Sequence, residues 1–364
     1  MTLGLTSAGE SHGPALVAIL TGLPAGLTLD RAAIDADLHR RQQGYGRSPR
    51  QQLEQDEVGV LAGLRHGRTL GTPLALVVHN RDHKNWEWGM NPWPPEGEPT
   101  GKGTKPVTLP RPGHADLAGV LKYGHEDVRD ALERASARHT AVLVAAGAVA
   151  KALLRELGVS VAGSVLEIGG ERDGWEAAID AARADRDTLG GLVEVRATGV
   201  FPGLGSYATR EDRLDARLAA ALMGIQAVKG VEIGDGFALA RKRGSAAHDE
   251  IDRDVEKQSL ERRSNRAGGI EAGVSNGEEI VVRAAMKPLP TLMRPLDSVD
   301  LASGEPAQAL VERSDVAAVE ALAVVAEAAV AWELARAARE KFGGDALVDM
   351  LAAHAAYLER IRTH

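Results

Sequence analysis

Six short segments concentrate side chains able to do acid–base or anion chemistry. The first is Ala8-Gly9-Glu10-Ser11-His12-Gly13. Two glycines bracket an acid, a hydroxyl and an imidazole, and glycine permits turns that expose such groups together with backbone amides. The second is His39-Arg40-Arg41-Gln42-Gln43-Gly44-Tyr45-Gly46-Arg47-Ser48-Pro49-Arg50, where four arginines fall within eleven positions. No acid lies between Leu38 and Leu53. Arginine's planar fork grips phosphate and carboxylate bidentately, so an anion site is favoured over a solvated basic loop. The third, Arg111-Pro112-Gly113-His114-Ala115-Asp116, sets a second histidine beside another arginine in a rigid turn.

The fourth is Glu133-Arg134-Ala135-Ser136-Ala137-Arg138-His139-Thr140. On one helix Arg134 and Arg138 would share a face and repel, unless an anion sits between them or Asp130 and Glu133 neutralise them. The fifth, Met223 to Phe237, holds Lys229 and Glu232 in a glycine-punctuated apolar stretch, which reads first as a buried turn and strand with a paired lysine. The sixth, Ser264 to Gly277, is glycine-rich with Ser and Asn and suits a phosphate or ring cofactor. Lys287-Pro288-Leu289-Pro290-Thr291 adds a rigid, polar-ended loop. Arg313-Ser314-Asp315 opens an alanine-rich helix, with Ser314 or Asp315 as its expected cap.

These segments need elements to hold them. Strands are expected at 192–200, where Val193, Val195 and Ala197 alternate with polar residues, and at 73–79, 160–168 and 279–286. Weaker strand patterns lie at 15–20 and 58–61. Helices are expected from the Asp30 cap to the Gly44 break, over 126–157, 214–223, 316–342 and 345–362. The stretch 140–154 is apolar almost all round, which implies burial on most sides. Residues 80–113 read as one long irregular loop holding three of the five tryptophans and seven of the sixteen prolines. Strands and helices do not alternate regularly, and no Gly-x-Gly-x-x-Gly follows a strand, so the fold class is α+β over one domain, 1–364.

Composition narrows the function. The chain of 364 residues has no cysteine, which removes disulfides, thiolate metal sites and thiol nucleophiles. Forty-three basic residues against 51 acidic give a net charge of −8, and aromatics are 3%, so a nucleic-acid partner is not expected. No His-Glu-x-x-His occurs among the 11 histidines, and no metal site is expected. No apolar run reads as a bilayer span and the N-terminus does not read as a signal peptide, so a cytoplasmic protein without a membrane partner is expected.

Taken in order, AGESHG, RRQQGYGR, RPGHAD, KYGHEDVRDALERASAR, MGIQAVKGVEIGDGF, SNRAGGIEAGVSNG, KPLPT and RSDV resemble the chorismate synthase family over most of the chain. Ser48 and His139 depart from the family pattern, which more often has Gly and Glu there. The resemblance implies antiparallel sheets enclosing helices, a homotetramer, and the last step of the shikimate pathway. In that step 5-enolpyruvylshikimate 3-phosphate loses phosphate and a C6 hydrogen to give chorismate, with reduced FMN required and NADPH as an optional reductant. It further implies His12 as the acid for the leaving phosphate, His114 as the proton donor to reduced flavin, and Asp315 as the acid assisting hydrogen transfer. Arg134, Ala135, Ser136, Gln226, Ala227, Gly277, Lys287, Pro288, Leu289, Pro290, Thr291 and Arg313 would contact FMN. Arg41, Arg47, Arg50, Arg111 and Arg138 would meet substrate anions, with Arg41 and Arg47 equally assignable to NADPH. The competing expectations are a lyase of another phosphorylated substrate on the same scaffold, and a non-catalytic FMN- or anion-binding protein.

Overall fold

The computed structural model describes residues 2–48, 54–254, 259–312 and 314–362. Arg50 and Arg313 lie outside them. Two four-stranded antiparallel sheets form the outer layers. The first runs in the order Gly4–Ala8, Ala15–Thr21, Leu74–His79, Gly59–Ala62. The second runs Ser160–Ile168, Gly191–Thr198, Ile280–Met286, Val228–Ile233. Between them lie the helices Thr140–Glu156, which packs on the first sheet, and Val319–Phe342, which packs on the second. The two helices approach at Gly147, where a Cβ would stand 2.3 Å from that of Ala328. Alanine and glycine at this seam allow the backbones to close, and most buried apolar side chains join one core from Leu3 to Met350, with a smaller separate cluster at Val107, Val128 and Leu132. This is the expected α+β fold with antiparallel sheets enclosing helices.

A buried charge cluster ties the layers. Glu327 accepts from Arg40 Nη1 and Nη2 at 3.0 and 2.9 Å, from Lys151 Nζ at 2.6 Å and from the Gly163 amide at 2.8 Å. Burial alone would raise the Glu327 pKa, but these donors hold it below the usual carboxylate range.

The expected helix over 126–157 is two. Arg129–Ala135 ends at Ser136, whose φ and ψ of −61° and 141° are extended, and a short 3-10 turn at Ala137–His139 precedes Thr140–Glu156. Ser136 Oγ accepts from the Arg138 amide, so the serine caps a new start instead of continuing the old helix. Arg134 and Arg138 therefore do not share a face. The stretch Arg129–Glu156 is long and apolar enough to cross a membrane by composition, but 78% of its most apolar window is buried inside the protein. The alanine-rich helix also starts later than expected, at Val319, and neither Ser314 nor Asp315 caps it. The other expected strands and helices fall within a few residues of their bounds, the helices Asp116–Tyr123 and Trp175–Ala184 were not expected, and Asp30 does cap its helix, accepting from the Ala32 amide at 2.9 Å. The 80–113 stretch is partly built: Arg81–Asn85 is a 3-10 turn and Trp86 is buried, while Trp93 is 76% exposed.

Candidate active site

Element ends converge on one cavity of about 420 Å³ at one end of the helical layer. The turn between the first two strands contributes Ser11 and His12. It needs Gly9, whose φ is 120° and where a Cβ would sit 2.6 Å from the Ala15 carbonyl oxygen. The end of the first helix contributes Arg41 and the loop after it Arg47, the 111–116 turn Arg111 and His114, and the Ser136 break Ala135, Ser136 and Arg138. Opposite stand Ile225 to Lys229, Lys287, Leu289 to Thr291, and Glu312, Ser314 and Asp315.

Both histidines are held by carboxylates through Nδ1. His12 Nδ1 lies 2.8 and 3.0 Å from the two oxygens of Glu133, and its backbone amide donates to Oε2 at 2.9 Å. Its ring stacks on Trp86 with centroids 3.9 Å apart. Arg129 Nη1 donates to Glu133 Oε1 at 3.1 Å. Burial pushes Glu133 toward neutrality, but His12 and Arg129 outweigh it and hold its pKa down. His114 Nδ1 makes a short contact with Asp116 Oδ1. Asp116 also accepts from the Arg111 amide at 3.0 Å and from its Nε and Nη2 at 2.8 and 3.1 Å. It has no exposed surface, and here too burial is overcome, by His114 and Arg111, leaving the carboxyl well below its ordinary range.

The arginines form the floor. Arg138 donates from Nε to Asn80 Oδ1 at 2.9 Å and from Nη1 to Asp56 Oδ2 at 2.7 Å. Arg41 donates to Thr140 Oγ1 at 2.9 Å and to Asp56 Oδ2 at 3.4 Å. Burial, followed by the charges of Arg138 and Arg47, pushes Arg41 down to about 9 against the pull of Asp56. Arg47 Nη1 pairs with Asp315 Oδ2 at 2.9 Å, and Asp315 Oδ1 accepts from the Ser48 amide at 2.6 Å. Arg47 Nε is buried with no hydrogen-bond partner among the described residues, an arrangement that an incoming anion would satisfy, while Arg138 Nη2 faces Glu54 Oε2 at 3.5 Å.

This geometry rejects a hydrolase reading. Gly9-Glu10-Ser11-His12-Gly13 has the Gly-x-Ser-x-Gly spacing of a nucleophile elbow, but it joins two antiparallel strands rather than a strand and a helix. Ser11 Oγ accepts from Ser136 Oγ at 3.3 Å, while His12 Nδ1 is turned to Glu133.

Of the residues the sequence singled out, His12, His114, Asp315, Arg41, Arg47, Arg111, Arg138, Ala135, Ser136, Gln226, Ala227, Lys287, Leu289, Pro290 and Thr291 line the cavity. Arg134 does not; it straps the first strand, donating to the Ser7 and Gly9 carbonyls at 3.1 and 3.3 Å. Pro288 is exposed and outside the cavity lining, and Gly277 packs near Pro202, away from this cavity. Lys229 lines the cavity, exposed, rather than being buried and paired. Glu133, Asp56 and Trp86 were missed as partners; each is an ordinary residue locally, and only the fold brings it to the site, whereas Asp116 lies two residues from His114 in the motif already singled out.

The sequence pattern of the family described as chorismate synthase matches residues 3–338. The chain belongs to the chorismate synthase family. It is 54% identical to a chorismate synthase of Desulforudis audaxviator (strain MP104C), over 98% of both chains. It is 53% identical to one of Rubrobacter xylanophilus (strain DSM 9941 / JCM 11954 / NBRC 16129 / PRD-1), over 99% of this chain and 98% of the relative. A solved crystal structure of chorismate synthase superposes with a TM-score of 0.79 at 35% identity, covering 100% of this chain and 99% of that one. The family's activity is a lyase reaction of the shikimate pathway.

Proposed function

We propose that this cavity converts 5-enolpyruvylshikimate 3-phosphate to chorismate and inorganic phosphate, with reduced FMN bound beside the substrate. The carrying observation is that two carboxylate-held histidines and four arginines, Arg41, Arg47, Arg111 and Arg138, line one cavity. A substrate with one phosphate and two carboxylates needs that density of cations. The C–O bond to phosphate breaks, the C6 hydrogen leaves, and the electron pair from that C–H bond closes the new diene.

The opposite wall fits a flavin. Gln226 Oε1 is buried without a partner among the described residues and suits a ring N–H, and Lys287 and Lys229 bring positive charge. Ile225, Met286 and Leu289 offer apolar contact for a ring face. Ala227 has a φ of 66°, a strained backbone shape for a residue with a Cβ, and such strain gathers at functional turns. Reduced flavin, when bound, would supply electron density that eases departure of phosphate. His12, with Nδ1 committed to Glu133, presents Nε2 to the cavity and carries the proton for the leaving phosphate. His114, with Nδ1 committed to Asp116, holds a proton at its own Nε2. Asp315 sits against Arg47 as a carboxylate placed to assist hydrogen removal. Arg41 and Arg47 lie in the same cavity as the histidines, which supports a role on substrate anions rather than at a separate NADPH site. A homotetramer and a cytoplasmic location complete the reading by resemblance to the family.

Anaerobic assay with pre-reduced FMN tests this. Phosphate and chorismate should appear in equal amounts. Flavin binding without phosphate release would favour the non-catalytic reading. Repeating the assay with oxidised FMN and NADPH asks whether this chain reduces its own flavin.

A further inference from the structure

We propose that Glu133 is the positioning residue of His12: its carboxylate fixes which imidazole nitrogen carries the catalytic proton and where that nitrogen points. This rests on the reading of His12 as the acid for the leaving phosphate. Glu133 is 3% exposed, and its carboxylate takes three donors at once. One is the His12 backbone amide at 2.9 Å, the second His12 Nδ1 at 2.8 and 3.0 Å, and the third Arg129 Nη1 at 3.1 Å. The Glu133 carbonyl also accepts from the Ser11 amide at 3.1 Å, so the helix 129–135 and the 9–13 turn are joined side by side. Trp86 lies flat on the other side of the imidazole, 3.9 Å away, and Arg129 covers that indole from 4.8 Å. His83 Nδ1 holds the His12 carbonyl at 2.9 Å.

The ring is thus fixed in plane, rotation and tautomer. A carboxylate has only acceptors, so Nδ1 must keep its hydrogen, and the proton that leaves must come from Nε2. Once that proton is gone, the neutral ring is the Nδ1–H tautomer, ready to be recharged at the same nitrogen. A glutamine in place of Glu133 cannot serve all three donors. With one oxygen and one NH2, it faces either Arg129 or a His12 N–H donor to donor. If Nδ1 meets the NH2, the ring prefers its hydrogen on Nε2, and the cycle is set one tautomer out of phase.

The experiment is a double-mutant cycle on the full chain with FMN, reading kcat, KM and flavin affinity. His12→Ala should lower kcat by about 10²–10⁴-fold. Glu133→Gln should lower kcat by about 10²-fold, with KM and the FMN dissociation constant within about threefold of the parent. In the His12→Ala background, Glu133→Gln should change kcat by less than about twofold. A full effect of Glu133→Gln in that background overturns the proposal, because the glutamate would then act on something other than the imidazole. An unchanged kcat in His12→Ala alone overturns the underlying assignment of His12 instead, so the two failures are distinct. Should the glutamine variant not fold, the parent protein decides by 15N resonances of its histidine rings at pH 8, with His12 assigned by the His12→Ala spectrum. Hydrogen on Nδ1 supports the proposal and hydrogen on Nε2 refutes it.

Discussion

The two cavity histidines are both paired to carboxylates, yet they are built differently. His12 finds its partner 121 residues away, on a helix, and the contact closes only when the first sheet and that helix have docked. Glu133 serves that residue and one arginine, and a tryptophan fixes the ring. His114 finds its partner two residues on, inside its own turn, and no aromatic ring among the described residues stacks on it. Asp116 also holds Arg111, whose Nη1 reaches Thr291 Oγ1 at 2.9 Å on the opposite wall. The side chain of His12 is 8% exposed and that of His114 is 15%. One carboxylate is therefore mainly a guide for a ring, while the other is a hinge pin for both a ring and an anion-binding arginine. Loss of Asp116 should injure folding, substrate binding and turnover together, whereas loss at the His12 side should separate turnover from binding.

The largest effect is expected from Asp116→Asn. It leaves the Arg111 guanidinium buried beside a neutral amide, and breaking such a pair costs about 3–5 kcal/mol. Chemical denaturation should show that loss, with a raised substrate KM in the folded remainder. A variant as stable as the parent would place the anchoring of Arg111 elsewhere, and the contrast with Glu133 would fail.

Next come the rings themselves. His114→Ala and His12→Ala should each cost about 10²–10⁴-fold in single-turnover rate while FMN still binds. Melting temperature, FMN affinity and rate measured on the same preparations separate chemistry from packing. Normal turnover per bound flavin in both variants would reduce the histidines to turn-formers.

Arg47→Ala should be milder. It removes a cation from substrate and releases Asp315, for a loss of about 1.5–3 kcal/mol in substrate binding. Arg47 belongs to the basic run 39–50, whose local alternative was a solvated loop. Its side chain is only 9% exposed, so an unchanged KM would mean that the substrate lies nearer the two histidines than to this arginine.

What was legible in the sequence follows from range. The 192–200 alternation, the all-apolar 140–154 run and the Asp30 cap express local physics, and they gave correct elements. The break at Ser136 was not legible, because 126–157 has helical periodicity throughout and contains no Gly or Pro before Gly147. Tertiary contacts decide there: turning the chain at Ser136 takes Arg138 to Asp56 and Asn80 and leaves Arg134 on the surface. The histidines were legible because glycine-flanked polar turns are conspicuous, and the family resemblance named the chemistry. Their carboxylates differ in the same way. Asp116 lay in the same quoted motif as His114, whereas Glu133 looked like one more helical acid beside Asp130, there to neutralise Arg134 and Arg138.

A third histidine provides the finest test, since no carboxylate among the described residues pairs with it. His139 Nδ1 lies 3.1 Å from the Ser136 carbonyl oxygen and 3.0 Å from Gln226 Nε2. Burial pushes its pKa below the ordinary value of 6.5, the Ser136 carbonyl opposes this, and the charges of Arg134 and Arg41 add to the depression. In the unfolded chain the same ring takes a proton near pH 6.5. Above that pH both states leave it neutral and its contribution to stability is fully present. As the pH falls below 6.5 the unfolded chain binds a proton that the folded one refuses, so this contribution declines until the pH passes the folded value. A His139→Gln variant removes that single titration. Its melting temperature should therefore fall less steeply than the parent's between pH 7.5 and 5.5, whatever the offset between the two at pH 8. Parallel curves would mean that His139 titrates alike folded and unfolded.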